Sequence, residues 1–276
     1  MSDLLPPPIY DSNQYRLPIL RELHDLIQYH DLLWVLIDKT IKTRYKRSAL
    51  GVLWTLLNPL LTTLVLSLAF SHFFKFDTPN YAIYLLSGLL VWNFFSQTSL
   101  QAISTLIWGS ALLKRIYVPR SIFVLSIVGN SLVNLGFALV VLLILMIGMQ
   151  QPFRLALITL PFSIILLSAF TLGVSLILGT ASVFSADLVD VVGVAWQVLF
   201  YLSPVIYPIA SLPDSIRWLI ALNPITSFLE LLRQPVYYGL FPNATSWLWA
   251  IAWALGSLLA GALIFTQNSS RLAYEL

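Results

Sequence analysis

Lys39, Lys42, Arg44, Lys46 and Arg47 put five cations into nine residues, followed at once by the small residues Ser48, Ala49 and Gly51. Lysine and arginine grip phosphate oxygens through charge-assisted hydrogen bonds. Clustered beside a bilayer, they draw anionic headgroups at about 1 kcal/mol per residue. The small residues leave room for a bulky headgroup to approach backbone amides. The chemistry on offer at Arg44, Tyr45, Lys46, Arg47, Ser48 and Gly51 is therefore recognition of a membrane-bound anion, of which a lipid-linked diphosphate is one example. A second reading needs no ligand, because the same cations orient a membrane chain by the positive-inside rule.

Other chemistries lack their residues. There is no Gly-Lys dipeptide, hence no phosphate-binding loop of the G-x-x-x-x-G-K-[ST] type, and no H-E-x-x-H or G-x-S-x-G. His24, His30 and His72 are too scattered for a metal site, and with no cysteine there is neither thiolate ligation nor a thiol nucleophile. A transferase acting on polyprenyl phosphates would need clustered carboxylates for metal or base work, but Asp187 and Asp190 stand without a third partner. A channel would want a filter of charged or carbonyl rings. The expectation is no catalytic residue, no metal and no cofactor held by this chain.

The elements that position the cluster follow from composition. Of 276 residues, 58% are apolar and 10% charged, with mean hydropathy +0.84, whereas soluble domains carry about 25% charged residues. Long uncharged runs at 48–74, 78–113, 121–153, 155–186, 191–213 and 234–270 can each hold one span of about 20 residues. An all-α membrane protein with six spans is predicted. The opening residues lack the basic start and apolar run of a signal peptide. If the spans alternate, eleven of the 15 basic residues fall on one side and four (Lys75, Arg154, Arg217 and Arg233) on the other, which places both termini in the cytoplasm. The spans hold almost no charge, so a proton relay through them is disfavoured.

Ahead of the first span, Leu23, Leu26, Ile27, Leu33, Trp34, Ile37 and Ile41 recur at helical spacing opposite a charged face. Such a helix over 21–41 either lies in the membrane interface or packs on protein. Pro204, Pro208, Pro213, Pro224 and Pro235 break any continuous crossing, so 204–235 is predicted to be two short re-entrant helices turning near Leu212-Pro213-Asp214. Ala252, Gly256 and Ala260 repeat every four residues and suggest close helix packing. The predicted organisation is a flexible cytoplasmic segment at 1–20, interface helix and basic cluster at 21–48, six spans at 49–270, and a cytoplasmic tail at 271–276.

Three stretches carry a family resemblance. Thr43-Arg44-Tyr45-Lys46-Arg47-Ser48-Ala49-Leu50-Gly51-Val52-Leu53-Trp54 with Asn58-Pro59 resembles the start of ABC-2 exporter membrane subunits, those for O-antigen, teichoic acid or capsular polysaccharide above all. Leu112-Leu113-Lys114-Arg115-Ile116-Tyr117-Val118-Pro119-Arg120 resembles that family's loop between spans two and three. Ser203-Pro204-Val205-Ile206-Tyr207-Pro208, Asn223-Pro224 and Glu230-x-x-Arg233 resemble its stretch between spans five and six. One departure is Ala186 before Asp187, where family members often have a basic residue.

The resemblance implies a homodimer joined to two copies of a separate ABC ATPase, which binds the ATP and magnesium. It also implies a bacterial plasma (inner) membrane location and an undecaprenyl-diphosphate-linked polysaccharide as cargo. Leu112, Leu113, Lys114, Arg115, Tyr117 and Arg120 would meet the ATPase. Pro204, Tyr207, Pro208, Asn223 and Pro224 would form an outer gate. Sugar rings stack on aromatic faces, and the deeper aromatics Trp92, Phe95, Trp196, Phe200 and Tyr201 would line a glycan channel. The rival cargoes are a drug or a lipid-linked oligosaccharide.

Overall fold

A computed structural model describes residues 18–45, 53–74, 78–108, 119–185 and 187–275. Regular structure among them is helical: α1 (Pro18–Gln28), α2 (His30–Tyr45), α3 (Leu53–Phe74), α4 (Thr78–Trp108), α5 (Ser121–Gly148), α6 (Leu160–Ser182), α7 (Leu188–Leu202), α8 (Asp214–Ala221), α9 (Pro224–Arg233) and α10 (Ala244–Glu275), with short 3-10 and π turns between. This chain has no water-soluble way to satisfy its backbone over such apolar runs, and helices satisfy it internally.

Four segments, Leu53–Phe70, Ser121–Gly148, Leu155–Ser182 and Ala244–Asn268, are long and apolar enough to cross a membrane. The other two predicted spans differ for opposite reasons. α4 is long, but Asn93, Gln97 and a series of Ser and Thr residues dilute its apolarity. α7 is apolar but has 15 residues, about 22 Å at 1.5 Å per residue against a hydrocarbon core of about 30 Å.

Contacts fix the helix directions. Near the start of α4, the Tyr81 hydroxyl donates to the Ile206 carbonyl, 2.8 Å, beyond the end of α7. Just past α5, Gln151 Nε2 donates to the Tyr237 carbonyl, also 2.8 Å. At the start of α10, the Ser246 hydroxyl donates to Glu230 of α9. At the opposite end of the molecule the Ser121 hydroxyl, first in α5, donates to Glu22 of α1. The long helices therefore run up and down, with 203–238 at one end and α1 at the other.

α4 is the centre. Tyr81, Ile83, Leu85, Leu86 and Val91 are fully enclosed, and Phe95 is 2% exposed. Around it pack α5, α6, α9 and part of α7. α6 and α10 form the most intimate pair: a Cβ added to Gly173 would lie 2.3 Å from the Ser257 carbonyl carbon, and one added to Gly261 2.4 Å from the Gly173 oxygen. The buried stripe of α10 is Ala250, Ala254 and Gly261. The predicted stripe Ala252, Gly256, Ala260 is wrong in register. Gly256 has open space at its Cβ, because it stands two residues, about 200° around the helix, from the buried Ala254.

Two further expectations are corrected. The helix before the first span begins at Pro18, a residue suited to the first helical position, and divides at Tyr29 into α1 and α2. Ile37 of α2 is buried, and a Cβ at Gly129 of α5 would lie 2.5 Å from its Cδ1. Trp34 and Val35, 67% and 59% exposed, face outward. This segment thus packs on protein along one edge and leaves an apolar edge uncovered. In 204–235 the two short helices are α8 and α9, and they meet at Leu222-Asn223 rather than at Leu212-Pro213-Asp214. Pro204, Pro208 and Pro213 leave no helical stretch before 214 beyond one 3-10 turn at Ile209–Ser211.

Candidate functional site

The segment 203–208 is the most heavily fastened non-helical stretch among the described residues. Arg233, the last residue of α9, reaches across to it from a fully enclosed position: Nη1 donates to the Pro204 carbonyl and Nη2 to the Val205 carbonyl, the latter at 2.5 Å. The Arg233 guanidinium carbon also lies 3.8 Å from the centre of the Tyr84 ring, a cation–π geometry. Among the described residues its Nε has no partner. The Tyr84 hydroxyl donates to the Tyr207 carbonyl at 3.0 Å. Gly88, one turn along α4, makes room for all this, because a Cβ there would stand 2.3 Å from Nη2.

Asn223 ties the other side. It caps α9, its side-chain oxygen accepting from the Ile225 amide at 3.0 Å, while its Nδ2 donates to the Ser203 hydroxyl at 2.8 Å. Pro224 takes the first helical position, where its missing N–H costs nothing. The Tyr207 hydroxyl donates back to the Tyr201 carbonyl at 3.0 Å. Pro208 opens the 3-10 turn. The five expected gate residues are thus brought together at one end of the bundle, on or against one strap.

The five aromatics expected to line a channel form a graded row. Trp92 and Phe95 are buried, while Tyr201 is 64% exposed. Ring centres lie 5.3 Å apart for Trp92 and Phe200, 4.9 Å for Phe95 and Trp196, and 5.4 Å for Phe200 and Tyr201. The Trp196 indole N–H donates to the Ser99 hydroxyl at 2.8 Å. Phe95 and Trp196 also border an apolar cavity of about 570 Å³ shared with Phe170, Trp249 and Trp253.

At the other end, α2 carries the basic cluster as far as Arg44 and Tyr45. Lys46, Arg47, Ser48 and Gly51 lie outside the described residues, as do Leu112, Leu113, Lys114, Arg115 and Tyr117. Arg120 is described. It stands just before α5, half-buried, where burial pushes its guanidinium below the usual value and the Glu22 carboxylate works against that shift. Among the described residues no group of three His, Cys, Asp or Glu could hold a metal.

Residues 31–237 match the family model for the ABC-2 type transporter. The chain belongs to the ABC-2 type transporters. An O-antigen export system permease protein RfbA of Myxococcus xanthus is 30% identical over 260 residues, 94% of this chain and 100% of the relative. One of the same name from Klebsiella pneumoniae is 30% identical over 216 residues, 78% of this chain and 83% of that one. A polysialic acid transport protein KpsM of Escherichia coli is 21% identical over 230 residues, 82% and 89% of the two chains. This ABC-2 chain is thus a helical membrane permease by family. The strap and Arg233 lie inside the matched range.

Sequence reasoning placed Glu230-x-x-Arg233 by resemblance but assigned Arg233 no role. Its signal was available: a lone cation nine residues after Pro224, at the far end of the helix that Asn223-Pro224 opens, with Tyr81 and Tyr84 three apart on another helix. What could not be read was that α4 and α9 meet.

Proposed function

We propose that this chain is the transmembrane subunit of an ATP-driven exporter that moves an undecaprenyl-diphosphate-linked, O-antigen-like polysaccharide across the bacterial inner membrane. The observation that carries this reading is the full-length similarity to an O-antigen export permease. Six spans are counted by adding α4 and α7 to the four apolar segments, α7 being lengthened by the strap that follows it. Two copies of this chain, both termini cytoplasmic, work with two copies of an ABC ATPase that carries the ATP and magnesium.

The basic cluster Arg44, Tyr45, Lys46, Arg47, Ser48 and Gly51 receives the diphosphate at headgroup level. Leu112, Leu113, Lys114, Arg115, Tyr117 and Arg120 take up ATPase closure. Phe200, Tyr201 and Trp196 offer stacking faces to the glycan, with Trp92 and Phe95 as their rigid backing. Tyr207, Pro208 and the Asn223-Pro224 turn, fastened through Pro204, form the outer gate. No step of bond-making chemistry is assigned to this chain.

The test is export and insertion measured together. Removing this chain abolishes surface polysaccharide, and Arg44→Lys or Arg47→Lys lowers it with normal insertion, because an ammonium cannot reproduce the planar guanidinium fork. Unchanged surface polysaccharide in the deletion strain overturns the reading. Normal export by both exchanges reduces the cluster to an orientation signal.

A further inference from the structure

The apolar cavity of about 570 Å³ lies among α4, α6, α7 and α10, within the range of about 300–1,000 Å³ of small-molecule sites. Its floor is made by the buried Phe95, Phe170 and Ile225, while Trp249, Trp253 and Gly256 of α10 border it and are exposed. It therefore opens sideways, past α10. It follows that helix from Trp249 to Ser257, about 12 Å at 1.5 Å per residue, with Pro224 at the strap end. Among the described residues no charged side chain lines it. The Trp196 N–H and the Ser257 hydroxyl reach it already spent, on Ser99 and on the Phe170 and Ala254 carbonyls. Neither asks for a polar occupant.

An opening past α10 is an opening onto the bilayer. α7 and α10, which flank the cavity, expose Val194, Val198, Leu248 and Leu255, a surface suited only to lipid or to another apolar span. Apolar cavities do not hold water, so the fitting occupant is a hydrocarbon chain. Moving such a chain from lipid into the cavity brings no hydrophobic gain, because lipid tails are as apolar as leucine. Selection rests instead on dispersion contact and on the cost of ordering the chain. An isoprenoid repeats planar, methyl-bearing double bonds. It lies flat on ring faces and has fewer freely rotating bonds to freeze than a saturated acyl chain of equal length. Phe95 and Trp196 also belong to the aromatic row, whereas Trp92, Phe200 and Tyr201 do not border the cavity. The cavity thus adjoins the buried end of that row, where sugar and tail of one amphiphile can be held side by side.

We propose that this cavity holds part of the isoprenoid tail of the transported lipid-linked glycan. This rests on the reading of the chain as an exporter of a prenyl-linked polysaccharide, and gives the tail a place on the protein instead of in bulk lipid. Gly256 supplies a way to fill the space: a Cβ there meets nothing within 4 Å, so Gly256→Leu adds a side chain to the lining without a clash. The chain with its ATPase is placed in nanodiscs of phosphatidylethanolamine and phosphatidylglycerol. Two photoprobes are compared, a polyprenyl phosphate and a phosphatidylethanolamine, each with a diazirine at the end of its chain. Labelled peptides are read by mass spectrometry, each as a share of all labelling on the chain.

The polyprenyl probe labels 249–257 and 196–199 with a larger share than the phosphatidylethanolamine probe does. Excess undecaprenyl phosphate lowers that labelling about tenfold, the factor 1 + [L]/Kd gives when competitor is near ten times Kd, and Gly256→Leu lowers it as well. Equal shares from the two probes overturn the proposal, since ordinary bilayer lipid then fills the cavity. No labelling there by either probe also overturns it and points to a second copy of the chain as the cover. Labelling that survives the competitor overturns it too. The competition uses the wild-type chain, so it decides the matter even where Gly256→Leu fails to fold. Failure of the broader reading is seen separately, as surface polysaccharide that persists when the wild-type chain is removed.

Discussion

Arg233 and Tyr84 meet as cation and ring, 3.8 Å from guanidinium carbon to ring centre, in a part of the protein closed to solvent on the Arg233 side. The pair joins the end of α9 to the start of α4, and the same guanidinium holds two carbonyls of the strap. Removing one partner leaves the others buried and unsatisfied, which is where large effects arise.

Arg233→Lys keeps the charge and loses the fork. An ammonium on a shorter reach cannot hold both carbonyls and the ring, so the loss is about 2–3 kcal/mol, one charged hydrogen bond's worth. In detergent this reads as a fall in Tm of roughly 4–10 °C. An unchanged Tm refutes the clamp.

The two faces of α10 separate cleanly by glycine. Gly261→Ala pushes a methyl into the Gly173 backbone and costs about 1–3 kcal/mol by overpacking. Gly256→Ala meets open space and is neutral or stabilising by up to about 1 kcal/mol from helix propensity. Thermal unfolding of both variants, side by side, measures the difference.

Trp196→Phe keeps the ring and removes the indole N–H that reaches Ser99. The expected loss is about 1 kcal/mol, and Ser99→Ala made on top of it adds less than it costs alone. Additive losses in this double-mutant cycle mean that the bond contributes nothing to stability.

Asp38 and Lys42 pair at 2.6 Å on the exposed face of α2. One exposed pair of this spacing contributes about 0.3–0.5 kcal/mol, so Asp38→Asn leaves Tm within about 2 °C. A larger fall means that this face is covered in the assembled protein.

Much of the helical layout was legible, because uncharged runs bounded by Lys, Arg or Asp mark where helices end in a membrane chain. The Asn223 cap and the fixed φ of Pro224 open α9, a start not placed from the sequence alone. The turn near Pro213 was misplaced because the prolines of 204–235 read alike in sequence, whereas Pro213 stands just ahead of α8 and Pro224 takes the first position of α9. The α10 stripe failed because small residues recur at four-residue steps on both faces of that helix, Ala250 and Ala254 on the buried face and Ala252 and Gly256 on the open one. Arg233 counted merely as a basic residue on the sparser side. It acquires meaning from the Tyr84 ring and the strap carbonyls that stand opposite it in three dimensions, and a single chain of letters carries no such pairing.

Thr78–Trp108 is a rod about 46 Å long at 1.5 Å per residue, gripped by neighbours on all sides over most of 81–99. A rod held that way has little freedom to bow, so axial displacement imposed at its Trp108 tip arrives at Tyr81 and Tyr84 with little attenuation. Those two hydroxyls grasp the carbonyls of Ile206 and Tyr207. The helix therefore has the mechanical form of a push-rod, and the strap can be tugged from the opposite end of the bundle through this one helix.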